Sequence, residues 1–176
     1  PRFKYDSYKR LIHRFGNIVE GSKNYKGKKF IKNKKEEKKL DNDTELSVDD
    51  LKEIIGKFKG VYNKEQKGKF PQKVEKQLLM AVKAVFSSWN NPRAISYRNI
   101  NDMPDDMGTA VNIQTMVFGN AGQSSGTGVA FTRNPSTGEN KVFGEFLLNA
   151  QGEDVVAGIR TPRDITELKE LMPALN

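Results

Sequence analysis

The chain of 176 residues has no cysteine, one histidine and one tryptophan. Without cysteine there are no disulfides and no thiolate metal sites, a composition that fits a reducing compartment such as the cytoplasm. The lone histidine, His13, excludes a multi-histidine metal site. It lies on an amphipathic stretch with no serine or acid motif beside it and reads as an ordinary surface residue. No run approaches the ~20 apolar residues that cross a bilayer, and the opening "PRFKYDSYKR" is not a charged-then-apolar leader. That opening lacks an initiator Met and the chain stops at "LMPALN", so it reads as a piece of a longer protein.

The charge present is unevenly spread. Residues 1–90 carry 23 Lys or Arg against 12 Asp or Glu, whereas residues 91–176 carry 7 against 10, and the whole has a net charge of +8. Such asymmetry predicts two differently built regions, 1–90 and 91–176. In the first, "YDSYKRLIHRFGNIV" places Tyr8, Leu11, Ile12, Phe15 and Val19 at helical spacing, with Ser7 as its cap and Gly16 weakening its middle. The lysine-rich stretch that follows predicts a solvated loop or frayed helix over about 22–46, because it holds too few apolar groups to order itself. "SVDDLKEIIGKFKGVY" predicts a helix capped by Ser47 and Asp50, burying Leu51, Ile54, Ile55, Phe58 and Tyr62. "QKVEKQLLMAVKAVFSSW" predicts another, with Val74, Leu78, Ala81, Val82, Val85 and Trp89 on its inner face.

Pro92 is expected to break the helical run. Beyond it, "GTAVNIQTMVFG" alternates like a strand, "GNAGQSSGTG" is turn-rich, and "VAFTR" and "KVFGEFLL" read as strands around an "NPSTGEN" hairpin turn. "DVVAGI" reads as a further strand, and "RDITELKELM" as a closing helix with Asp164 and Glu167 as its capping box. The fold class expected is α+β, with an antiparallel sheet.

Few features carry chemistry on their own. The lysine tract has only Tyr25 and Phe30 to offer as stacking groups and is interrupted by Glu36 and Glu37, so a basic nucleic-acid-binding module is the lesser reading. The glycine-rich "GNAGQSSGTG" lacks the lysine of a phosphate loop and reads as a connection between strands, with Met116 and Val117 beside it as core. Arg93 and Arg98 match phosphate geometry or pair with Asp102 or Asp105, and composition does not separate the two. Glu153 and Asp154 stand where the apolar pattern expects burial. Unpaired burial of carboxylates is costly, so they demand a polar partner. A ribose or adenine ligand, a cation, a turn to cap, or Arg160 would each serve.

"SWNNPRAISYR", "GTAVNIQTMVFGN", "SGTGVAFTRNPSTGE" and "GEFLLNAQGEDVVAGIRTP", with the opening "PRFKYDSYKR", resemble the nucleotide-binding part of the pyruvate, phosphate dikinase family. The related phosphoenolpyruvate synthases and rifampin phosphotransferases replace the "AQGEDVVAGIRTP" block. The resemblance implies a partial ATP-grasp fold with a small helical subdomain. It implies a phosphotransferase that turns ATP, phosphate and pyruvate into AMP, pyrophosphate and phosphoenolpyruvate through a phosphohistidine on a separate domain. Mg2+ and a monovalent cation are implied as cofactors, and a homo-oligomer as the assembly. The phosphohistidine domain, the pyruvate-binding domain, the phosphate loop with its lysine and the metal-binding acids are all expected outside residues 1–176. No catalytic or metal-binding residue is therefore expected within them, and this piece alone is expected to be inactive. Carried over by position, Glu153 and Asp154 address the nucleoside, Gln114, Met116 and Val117 the adenine, and Arg93 the phosphates. A further ATP-linked arginine is matched by Arg10, or by Arg2. The rival within the class is a phosphoenolpyruvate synthase-like dikinase.

Overall fold

The computed structural model describes residues 2–19, 21, 27–156 and 160–171. They fall into two compact units, Pro1–Ile113 and Gln114–Asn176.

The first unit is helical. α1 (Arg2–Arg14) runs into a π-helical turn, Phe15–Val19, and packs along α3 (Val48–Glu65). Gly16, expected to weaken the helix, lies in that widened turn, where its missing side chain eases departure from α geometry. Ser7 is not the cap: α1 begins upstream of it. There Arg2 donates from Nε to the Leu46 carbonyl at 2.9 Å and from a terminal nitrogen to that of Asp43 at 2.6 Å. This long-range anchor fixes the start of α1, and local sequence does not reveal it. The core gathers Ile12, Phe15, Leu46, Leu51, Ile54, Ile55, Phe58, Tyr62 and Phe70. Phe70 stands edge-on to both Phe15 and Tyr62, with ring centroids 5.4 and 5.1 Å away. The cap of α3 is as expected, Ser47 Oγ accepting from the Asp50 amide while Asp50 Oδ2 accepts from the Ser47 amide at 3.0 Å.

Part of the lysine-rich stretch is a docked helix, neither solvated loop nor frayed. Residues 22–26 lie outside the described residues, but Gly27–Lys38 form a helix, α2, docked on α3. Phe30 and Ile31 pack against the core, while buried Lys34 bonds Glu53 at 2.7 Å and Glu37 at 2.9 Å. Tertiary partners thus order a segment whose own composition would not.

α4 (Val74–Ser88) forms as expected but covers only part of the expected face, Ala81, Val82 and Trp89 being half-buried. Val74, Leu78 and Val85 are exposed, as are Leu79 and Phe86, whereas Met80 meets the core. Near the start of the helix, Gln77 donates to the Pro71 carbonyl at 2.6 Å. Pro92 does not end helical structure. It occupies the first turn of α5 (Pro92–Ile100), where its fixed φ and missing N–H cost nothing. The compositional change near residue 91 therefore precedes the division between the compact units.

The second unit is built on an antiparallel sheet of β1 (Gly126–Phe131), β2 (Phe143–Leu148) and β3 (Arg163–Asp164), with β2 central. Gly126 faces Leu148 and Phe131 faces Phe143. The turn between β1 and β2 is organised by Asn134, whose side-chain oxygen accepts from the amides of Ser136 and Thr137, and by Gly138 at φ 75°. Two expected strands do not form among the described residues. Residues 109–118 enter no ladder among the described residues, because alternation marks faces but pairing makes a strand. Met116 and Val117 are accordingly exposed rather than core. "DVVAGI" does not begin as a strand either: Gly152–Val156 form a short helix, α6, and residues 157–159 lie outside the described residues. The closing segment adds a 3-10 turn, Ile165–Glu167, and α7 (Leu168–Leu171), with the Asp164–Glu167 capping box in place.

Candidate nucleotide-binding site

Glu153 and Asp154 lie in the first turn of α6. Asp154 reaches back: its Oδ2 accepts from the Gln151 amide at 2.9 Å, while its own amide donates to the Gln151 carbonyl at 2.8 Å. Acids favour this end of a helix, where main-chain N–H groups converge, which is why "QGEDVV" folds as a helical turn. Both acids are half-buried. Arg160 is directed to main-chain carbonyls. It donates to the carbonyls of Leu148 at 2.5 Å and Asn149 at 3.1 Å, at the end of β2.

The glycine-rich connection lies against this turn. Ala150 N–H donates to the Gly119 carbonyl at 2.9 Å, Asn149 N–H to that of Ser125 at 2.7 Å, and Gln151 Nε2 to Asn120 Oδ1 at 3.1 Å. Gly119 is required here, because a Cβ would collide with the carbonyls of Ala150 and Gly126. Exposed Gln114, Met116 and Val117 lead into this connection, so the second unit carries all five residues matched to the nucleoside end.

The matched arginines belong to the first unit. Arg10 bonds Asp6 through Nε at 3.1 Å, beside a buried Lys9–Asp6 pair at 2.8 Å. Arg93 is exposed in the first turn of α5. Arg98 takes the fold-holding alternative. It is buried, stacked 4.2 Å from the Trp89 ring, and bonded to the Trp89 carbonyl at 2.6 Å and to Asp105 at 2.7 Å. Sequence reasoning missed Asn120 and Gln151. Their amides carry no motif, and only the fold makes them neighbours.

Residues 56–176 match the family described as pyruvate phosphate dikinase, AMP/ATP-binding domain. The chain belongs to that family. It is 59% identical to the pyruvate, phosphate dikinase of Clostridium symbiosum over 174 residues, which are 98% of this chain and 20% of that protein. The chloroplastic enzymes of Mesembryanthemum crystallinum and Arabidopsis thaliana are each 55% identical over 172 residues, 98% of this chain and 18% of theirs. The chain thus spans about one fifth of the length of the curated relatives it matches. The α+β architecture is that of an ATP-grasp-type domain. Among the described residues no three His, Asp or Glu side chains cluster to hold a metal, and no helix is long and apolar enough to cross a membrane.

Proposed function

We propose that this chain supplies the nucleoside-binding part of the ATP site of a pyruvate, phosphate dikinase. The observation that carries the reading is the second unit's own construction. Two half-buried carboxylates in the first turn of α6 are tied to the connection that follows Gln114, Met116 and Val117. Carboxylates accept hydrogen bonds from ribose hydroxyls or an adenine amine, and the exposed apolar side chains of Met116 and Val117 suit an adenine face. Arg93 and Arg10 then serve the phosphates, and Arg2, whose donors hold main-chain carbonyls, serves the fold.

The complete reaction of this proposal takes ATP, phosphate and pyruvate to AMP, pyrophosphate and phosphoenolpyruvate, with phosphoryl groups carried by a histidine on another domain. Mg2+ and a monovalent cation would neutralise the phosphates. A homo-oligomer and a cytoplasmic setting belong to the same proposal. Product analysis of the full-length protein tests it: pyrophosphate that depends on added phosphate supports a dikinase, and phosphate release from ATP and water supports the synthase-like alternative.

A further inference from the structure

Asn120 is buried, only 6% exposed, and Ala150 is fully buried. Between them the Asn120–Gln151 amide pair crosses from the glycine-rich connection to the acid-bearing turn. Gln151 faces both ways, its side chain bonding Asn120 and its main chain bonding Asp154 in both directions. Two apolar side chains would fill such a space without desolvating two amides, so the pair contributes definition of position more than net stability. Gly119 allows the close approach, because a Cβ there would collide with the carbonyls of Ala150 and Gly126.

The geometry points to Asn120 and Gln151 as positioning residues, whose bond holds the two walls of the nucleoside site, residues 114–117 and the first turn of α6, at a fixed separation. This rests on the proposed role of Glu153 and Asp154. Neither amide is asked to touch the reacting phosphates. Its loss therefore weakens nucleotide binding and leaves the chemical step alone.

The test uses the full-length protein and steady-state kinetics with ATP, beside thermal melting. Asn120→Leu and Gln151→Leu raise the KM for ATP by about tenfold, the effect of losing one well-placed hydrogen bond, with little change in kcat. Asn120→Asp keeps an acceptor for Gln151 Nε2 and raises the KM less than Asn120→Leu does. The isosteric double variant Asn120→Asp, Gln151→Glu has two acceptors and no donor, and its KM rises even where a leucine variant fails to fold. Leucine variants that melt earlier at parental KM would show a purely structural pair and overturn the inference, as would a double variant with parental KM. A Glu153→Ala, Asp154→Ala variant separates the two readings. If it keeps the parental KM, the assignment of the acids fails; if it loses affinity while the amide variants do not, only the positioning role fails.

Discussion

Lys34 of α2 bonds Glu53 of α3 at 2.7 Å, and this pair makes a docked helix of the lysine-rich tract. Glu53, then Glu37, holds the Lys34 ammonium well above the usual lysine range, and Lys34 in turn lowers the Glu53 carboxyl. A raised lysine stabilises the fold below its unfolded pKa and is lost only as pH rises through the folded value. A lowered carboxyl contributes above its unfolded pKa and is lost as pH falls through the folded one. The docking of α2 should therefore hold through neutral pH and fail in acid. Hydrogen exchange should show amides of Gly27–Lys38 losing protection as pH falls below the ordinary carboxylate range, or in Glu53→Lys, while those of α3 stay protected.

The cap of α3 makes a second prediction. Hydrogen bonding from Ser47 is the main cause of a lowered Asp50 carboxyl, with Lys38, 3.6 Å away, adding to it. Ser47→Ala should cost about 1 kcal/mol at pH 7. Because the folded pKa is the lower one, the Asp50 contribution is present above the ordinary carboxylate range and disappears as pH falls through the folded value. The gap in denaturant midpoint between variant and parent should therefore narrow in acid without closing, because the bond from the Asp50 amide to Ser47 Oγ does not titrate.

Trp89 is the sole tryptophan and reports on Arg98 directly. Arg98→Met removes the stack, the bond to the Trp89 carbonyl and the bond to Asp105, and should cost about 1–3 kcal/mol with a changed Trp emission. Asp105 is 75% exposed in its side chain, so Asp105→Asn should cost below ~1 kcal/mol. Equal effects would mean that the ion pair, rather than the buried stack, holds α5 to the end of α4.

Gly119 makes a fourth prediction, a test of close packing. Gly119→Ala should destabilise by about 1–3 kcal/mol, because neither carbonyl in its way belongs to a flexible side chain. Denaturant unfolding followed by far-UV circular dichroism measures it.

Much of this was legible in the sequence, and the remainder was not for identifiable reasons. The stripe of α3, its cap, the β1–β2 hairpin and the Asp164–Glu167 box follow from patterns a few residues long, and each is present. α2 was illegible because its order comes from Glu53 and from Phe58, whose ring lies 6.1 Å from that of Phe30. In α4 the apolar stripe is buried only in part, Val74, Leu78 and Val85 being exposed, and spacing alone does not tell these from Ala81, Val82 and Trp89. In the candidate site, "GEDVV" reads as strand by its valines and as helix by its acids, and the Asp154 bond to the Gln151 amide favours the helix. The Asn120–Gln151 pair has no local signal at all, since it joins segments separated by the whole β1–β2 hairpin.

The most direct test of the account is a calorimetric titration of adenosine and of ATP into the protein and into its Glu153→Ala, Asp154→Ala variant. The account predicts that the parent binds both ligands and that the variant loses most of its affinity for both, because the acids serve the nucleoside shared by the two. A correctly folded variant that binds adenosine as the parent does would contradict it, and would leave Glu153 and Asp154 as the cap of a helical turn.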